Sequence, residues 1–194
     1  PASMLMRRFG RRPGFLIGTL LGVGGSLLSA LALHQSDFVV FVVGHVLLGS
    51  YQGFANYYRF AAVEAAGPAQ AGRAISLVIA GGVVAAFLGP QLAVWGRDWI
   101  GGQIFVGSYL AQGALSLVAL ALLAFLRLPT SPPVHAGMAR PLRDILAQPV
   151  LRVSIFGAAI GYAAMIMVMT ATPLAILGCG LPGTSVTPVI QWHV

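Results

Sequence analysis

The sequence predicts an all-α, polytopic bundle of membrane-spanning helices, and three observations carry that reading. Of 194 residues, 58% are hydrophobic and 8% are charged, where a soluble domain carries roughly 25% charged residues. The mean hydropathy is +0.88. The apolar residues gather in runs close to the roughly 20 that a helix needs to cross a bilayer, separated by short polar or basic segments. So few charges cannot cover the surface of a water-soluble fold. A soluble enzyme, a disulfide scaffold and a disordered chain are therefore excluded.

Five full spans follow in order. The first run is Pro13 to Leu33, with Pro13 suited to a first helical turn. After His34-Gln35-Ser36-Asp37 the second run extends from Phe38 to about Ala62 as one helix. Residues Glu64 to Arg73 form a small-residue loop, and the third run covers Ala74 to Trp95. Gly96 to Gln103 is a polar turn, and Ile104 to Leu126 is the fourth run. A longer segment from Arg127 to Pro149 holds Pro129, Pro132, Pro133, His135, Arg140, Arg143 and Asp144. The fifth run is about Val153 to Leu177. Residues 1–6 look like the last turns of an apolar helix and residues 187–194 like one beginning, so a piece of a longer membrane protein is expected.

The formal charge is +7 and all eleven basic residues are arginine. They sit in clusters between apolar runs rather than on a polar face interleaved with aromatics, so no nucleic-acid partner is expected. If every run spans, ten arginines fall on one side and Arg97 alone on the other. That asymmetry marks the arginine-rich side as cytoplasmic. Three glycine pairs, Gly18/Gly22, Gly49/Gly53 and Gly157/Gly161, have the four-residue spacing that lets membrane helices approach closely. One cysteine, Cys179, leaves no internal disulfide and no cysteine-based metal cluster.

Leu5, Arg8, Gly10, Arg11 and Arg12 fit the pattern Gly-x-Leu-x-Asp-Arg-x-Gly-Arg-Arg, which resembles the loop between helices 2 and 3 of major facilitator superfamily transporters. Ser3 replaces the first glycine and Arg7 stands at the acidic position, so the charged cytoplasmic latch that the family builds there must be made differently or be weaker. The layout agrees with the same resemblance. The full spans become helices 3 to 7, and the long basic segment becomes the link between two six-helix halves. Gly89-Pro90 resembles the core of the family's helix 5 motif, with Ala85 and Ala93 in place of its outer glycines. The resemblance implies a partial twelve-helix fold: 1–127 in the N-terminal half, 128–149 as the cytoplasmic central loop, and 150–194 opening the C-terminal half.

On the helix that corresponds to the family's helix 4, His45, Gly49, Gln52, Asn56 and Arg59 lie within about an 80° arc of one continuous helix. A polar stripe in a membrane span faces protein or water, because unsatisfied polar groups in lipid are costly. The resemblance makes helices 4 and 7 cavity walls, so His45, Gln52, Asn56, Arg59 and Tyr162 are the candidate solute-binding residues. Arg8, Gly10, Arg11 and Arg12 are candidates for cytoplasmic gating. The alternative for the stripe is that His45 and Gln52 bond neighbouring helices while Arg59 reaches the headgroups.

The reading of function is secondary transport of a small organic solute by alternating access, in the bacterial inner membrane, by a monomer without cofactor or metal. A visible fragment alone is expected not to transport. Neighbouring bacterial branches of the superfamily carry vitamins such as riboflavin, or export drugs, so a vitamin-like or drug-like solute is expected. No carboxylate lies at membrane depth in the visible helices; proton coupling would use His45 or a carboxylate elsewhere. A membrane-embedded enzyme is disfavoured because His34, His45, His135 and His193 are scattered with no metal or catalytic spacing. A channel or structural membrane subunit is the remaining alternative. No Gly-Lys-Ser/Thr phosphate loop is present.

Overall fold

The computed structural model describes residues 2–126 and 142–193, which form two compact units. Arg127, His135 and Arg140, and most of the segment expected as the central loop, lie outside the described residues. The first unit contains α1 (Ala2–Phe9), α2 (Arg11–Gln35), α3 (Phe38–Ala55), α4 (Tyr58–Ala66), α5 (Ala71–Trp95) and α6 (Val106–Phe125). The second contains α7 (Leu142–Leu146), α8 (Pro149–Gly178) and α9 (Val186–His193). Five helices among the described residues are long and apolar enough to cross a membrane, with α3 and α4 counted as one span.

Helix ends follow local chemistry. Gly10 separates α1 from α2 at φ +91°, a backbone conformation that costs a glycine little. Pro13 then falls in the first turn of α2, where its missing N–H leaves no intrahelical bond unmade. At the other end Ser36 takes a left-handed conformation, φ 55°, and the Asp37 amide returns to the Ala32 carbonyl at 2.9 Å. Asp37 next caps α3, its Oδ1 accepting from the amides of Val39 (2.9 Å) and Val40 (3.1 Å). Two residues thus reverse the chain and pack α3 antiparallel on α2.

The α2–α3 interface is built on small residues. A Cβ on Gly18 would lie 2.6 Å from the Phe54 side chain, and one on Gly22 would lie 3.0 Å from Tyr51. One on Gly25 would lie 2.8 Å from the Gly44 carbonyl oxygen. The contacts run in antiparallel register, 18 with 54, 22 with 51 and 25 with 44. Close approach through glycine replaces the hydrophobic drive that lipid does not supply. The other two predicted glycine pairs behave differently: Gly49, Gly53, Gly157 and Gly161 meet nothing within 4 Å. Thr19 and Ser26, both fully buried, satisfy their hydroxyls on the carbonyls of Phe15 (2.8 Å) and Gly22 (2.9 Å) of their own helix. Large side chains such as Leu20, Leu27 and Leu31 point outward instead.

The second predicted run is not one uninterrupted helix. It breaks at Asn56-Tyr57, where the Asn56 side-chain Nδ2 donates to the Gln52 carbonyl at 3.0 Å and the Tyr57 amide closes a tighter turn on Phe54, 3.0 Å. An asparagine side chain competing for a backbone carbonyl is a common way to end a helix. The region expected as a loop is also shorter, since α4 runs to Ala66 and α5 begins at Ala71 after a 3-10 turn at Pro68–Gln70.

In the second unit α8 passes through Pro173 and ends where Gly180 adopts φ +73° and the Leu181 amide returns to Ile176 at 3.1 Å. Val168, Met169 and Thr172 on α8 line one open cleft together with Val189, Ile190 and Trp192 of α9.

Candidate functional site

The packing of α3 decides which of its side chains are left free. Gly44, Leu48, Tyr51 and Phe54 turn toward α2, so the stripe at His45, Gly49 and Gln52 falls on exposed surface. Gln52 has no side-chain hydrogen bond among the described residues, and its amide is presented outward. Asn56 is partly committed to ending α3. Arg59 stands on α4 beyond the break, 5.1 Å over the Phe60 ring, so the arc drawn for a continuous helix does not carry it into line with Gln52. Tyr162 is exposed on α8 in the second unit.

His45 is bonded on both ring nitrogens. Nδ1 lies 3.0 Å from the Phe41 carbonyl oxygen and Nε2 lies 3.1 Å from the Tyr109 hydroxyl on α6. A carbonyl only accepts, so Nδ1 carries a proton and the neutral ring accepts from Tyr109 through Nε2. The Phe41 ring lies 4.2 Å from the imidazole, tilted 46° to it, and meets the Tyr109 ring edge-on at 5.8 Å. His45 thus bonds a neighbouring helix, the arrangement that the sequence left as its alternative.

At the opposite end of the first unit, the arginine cluster reaches two other helices. Arg11 pairs with Glu64 near the end of α4. Arg12 donates to the Ala124 carbonyl in the last turn of α6 at 2.5 Å, where unsatisfied carbonyls attract a cation. Arg8 lies 5.4 Å over the Phe9 ring. The α1–α2 corner at Gly10 is what brings Arg11 and Arg12 back across the bundle end. The far end is tied by His34 Nδ1 donating to Gln103 Oε1 (2.5 Å) and Gln103 Nε2 donating to the His34 carbonyl (3.0 Å). Gly89 lines a cavity of about 550 Å³ at that far end, and Pro90 beside it stays within an unbroken α5. No cluster of metal-ligating side chains occurs among the described residues.

Comparison with known proteins decides the family. Residues 1–191 match the Major Facilitator Superfamily. The chain belongs to the major facilitator superfamily. It is 40% identical over 197 aligned residues to the riboflavin transporter RfnT of Brucella anthropi, covering all of this chain and half of that protein. The chain therefore spans about half the length of the curated relative it matches. No solved structure matches it. A superfamily member with these helices is a membrane protein of the transporter class rather than an enzyme, and its all-helical fold is a partial superfamily bundle.

Two partners of the candidate residues were not read from the sequence. Glu64 pairs with Arg11 of the arginine motif, and Tyr109 bonds His45. The signal for Glu64 was available, as one of four acidic residues and at the same membrane edge as the arginines. Tyr109 carried no such signal, because its pairing with His45 depends on how α6 packs.

Proposed function

We propose that the protein carrying this chain is a secondary transporter of a riboflavin-like solute, working by alternating access of two helical halves joined through the 128–149 segment. It would span the bacterial inner membrane several times as a monomer. The observation that carries the reading is the 40% identity, over the whole chain, to a protein named as a riboflavin transporter. The exposed polar face of α3 supports it. A flavin pairs a planar ring with a hydroxylated chain, and Gln52 offers an uncommitted amide that can both donate and accept. Gln52 is the leading solute contact in this reading, with Arg59 and Asn56 toward the cytoplasmic mouth and Tyr162 from the second half. Arg8, Gly10, Arg11 and Arg12 serve gating, and Gly89-Pro90 shapes helix 5. Proton coupling fits the same frame through His45, since a proton added at Nε2 would reverse the direction of the Tyr109 bond.

Quenching of flavin fluorescence on titration with the purified whole protein tests the contact. Gln52→Ala removes one neutral hydrogen bond, about 1 kcal/mol, and should weaken riboflavin binding roughly fivefold. Leu31→Ala, an exposed apolar position on α2, should leave it unchanged. Equal affinity in wild type and Gln52→Ala would remove Gln52 from the site.

A further inference from the structure

The cavity at the end of the first unit away from the arginine cluster has a built character that the stripe on α3 does not explain. It measures about 550 Å³ and is walled by α2, α3, α5 and α6, within the range of small-molecule sites. Its walls are aromatic: Phe41, Phe105 and Tyr109 all line it. Its polar groups are few and placed among them. Gln112 contributes an amide, and the Tyr109 hydroxyl is held by His45 at 3.1 Å. The Ser108 hydroxyl is anchored on the Ala93 carbonyl at 2.5 Å.

Phe105 supplies an independent observation. It sits at φ 70°, ψ −2°, a left-handed backbone conformation that is an outlier for a bulky side chain. Its amide is bonded to the Arg97 carbonyl at 2.9 Å, and the Arg97 guanidinium lies 5.6 Å over its ring. The same loop is braced by the double hydrogen bond between Gln103 and His34. Strained residues held this firmly cluster at ligand clamps. Here the held residue is an aromatic ring on the wall of a mostly apolar cavity, with a cation over its face.

We infer that this cavity is a second solute subsite, taking the planar heteroaromatic ring of the transported solute between Phe105 and the Phe41–Tyr109 pair, with Gln112 meeting a polar ring edge. The inference rests on the riboflavin-like reading above and adds a site at the far end of the bundle from Arg11 and Arg12. A flat ring with carbonyl and ring-nitrogen edges satisfies both the stacking walls and the single amide. A flexible aliphatic solute would leave the aromatic walls unmatched.

The test uses the whole protein in membranes, with Q112C and, as a second variant, L115C on the same wall, each in a C179S background. Labelling of the introduced thiol by a membrane-impermeant methanethiosulfonate reagent is followed with and without riboflavin, and with lumichrome, the bare ring system. The expected result is labelling slowed about tenfold by either compound, with the protection lost in F105A, as removal of a stacking platform predicts. Labelling unaffected by both compounds would overturn the inference, and so would failure of both thiols to label in protein that still transports, because the cavity would then be filled by protein. Riboflavin flux measured in the same membranes separates the two readings. Flux without protection removes the subsite alone. Protection by lumichrome without riboflavin flux keeps the subsite and removes the riboflavin reading.

Discussion

Reversing Arg11 to glutamate is expected to reduce transport by the whole protein at least tenfold, and adding Glu64→Arg is expected to restore a substantial part of it. The pair joins the α1–α2 corner to the end of α4, and its side chains are 23% and 44% exposed. An ion pair this open contributes only about 0–1 kcal/mol to stability. Under the proposed alternating access, the expected effect therefore acts on the balance between conformations rather than on folding. A clasp that favours one state by about 1.4 kcal/mol shifts the ratio of states tenfold. Arg11→Glu sets two carboxylates against each other across the same gap and turns the bias into repulsion. The check is solute flux alongside thermal stability for R11E, E64R and the double variant. Flux loss with unchanged stability and recovery in the double variant supports the clasp. Equal loss in all three, with no recovery, would show that the two side chains act separately.

Valine at Gly25 is expected to disrupt the bundle, whereas valine at the adjacent Gly24 leaves it intact. A Cβ on Gly25 meets the Gly44 carbonyl oxygen at 2.8 Å and the Leu48 amide nitrogen at 3.0 Å, both backbone atoms that cannot rotate away. On Gly24 a Cβ meets nothing within 4 Å. Overpacking costs roughly 1–3 kcal/mol even where side chains can adjust, and here α2 and α3 must separate. A marginally stable protein loses much of its reserve at that cost. The measurement is the melting temperature and monodisperse yield of the two purified variants. A Gly25→Val protein as stable as Gly24→Val would mean that the two helices are not in van der Waals contact along this line.

How much of this was legible in the sequence depends on the range of the forces involved. The long helices were legible because each is a continuous apolar run, and Ser36-Asp37 and Gly10 mark ends by local backbone chemistry. The arginine asymmetry separated the two ends of the first unit, and the structure joins Arg11 and Arg12 to Glu64 and Ala124 at one end and His34 to Gln103 at the other. The break at Asn56-Tyr57 was hidden because hydropathy averages over it. One short polar side chain taking a carbonyl four residues back leaves no trace in a window of twenty. Of the glycine pairs, spacing alone identified close contact at Gly18/Gly22, but missed Gly25 with Gly44, since contact needs a partner helix and the partner is not in the pattern. For the candidate site, the polar face of α3 was legible as periodicity. The binding of His45 to Tyr109, and the cavity walled by Phe105 and Gln112, are tertiary facts that no spacing within one helix contains.

The most direct test of a flavin pathway along α3 is riboflavin counterflow in proteoliposomes containing the whole protein, with Gln52→Ala beside wild type. Saturable exchange of labelled riboflavin by wild type, reduced about fivefold in Gln52→Ala at subsaturating solute, is the expected result. Absence of saturable exchange for riboflavin in correctly folded wild-type protein would contradict it.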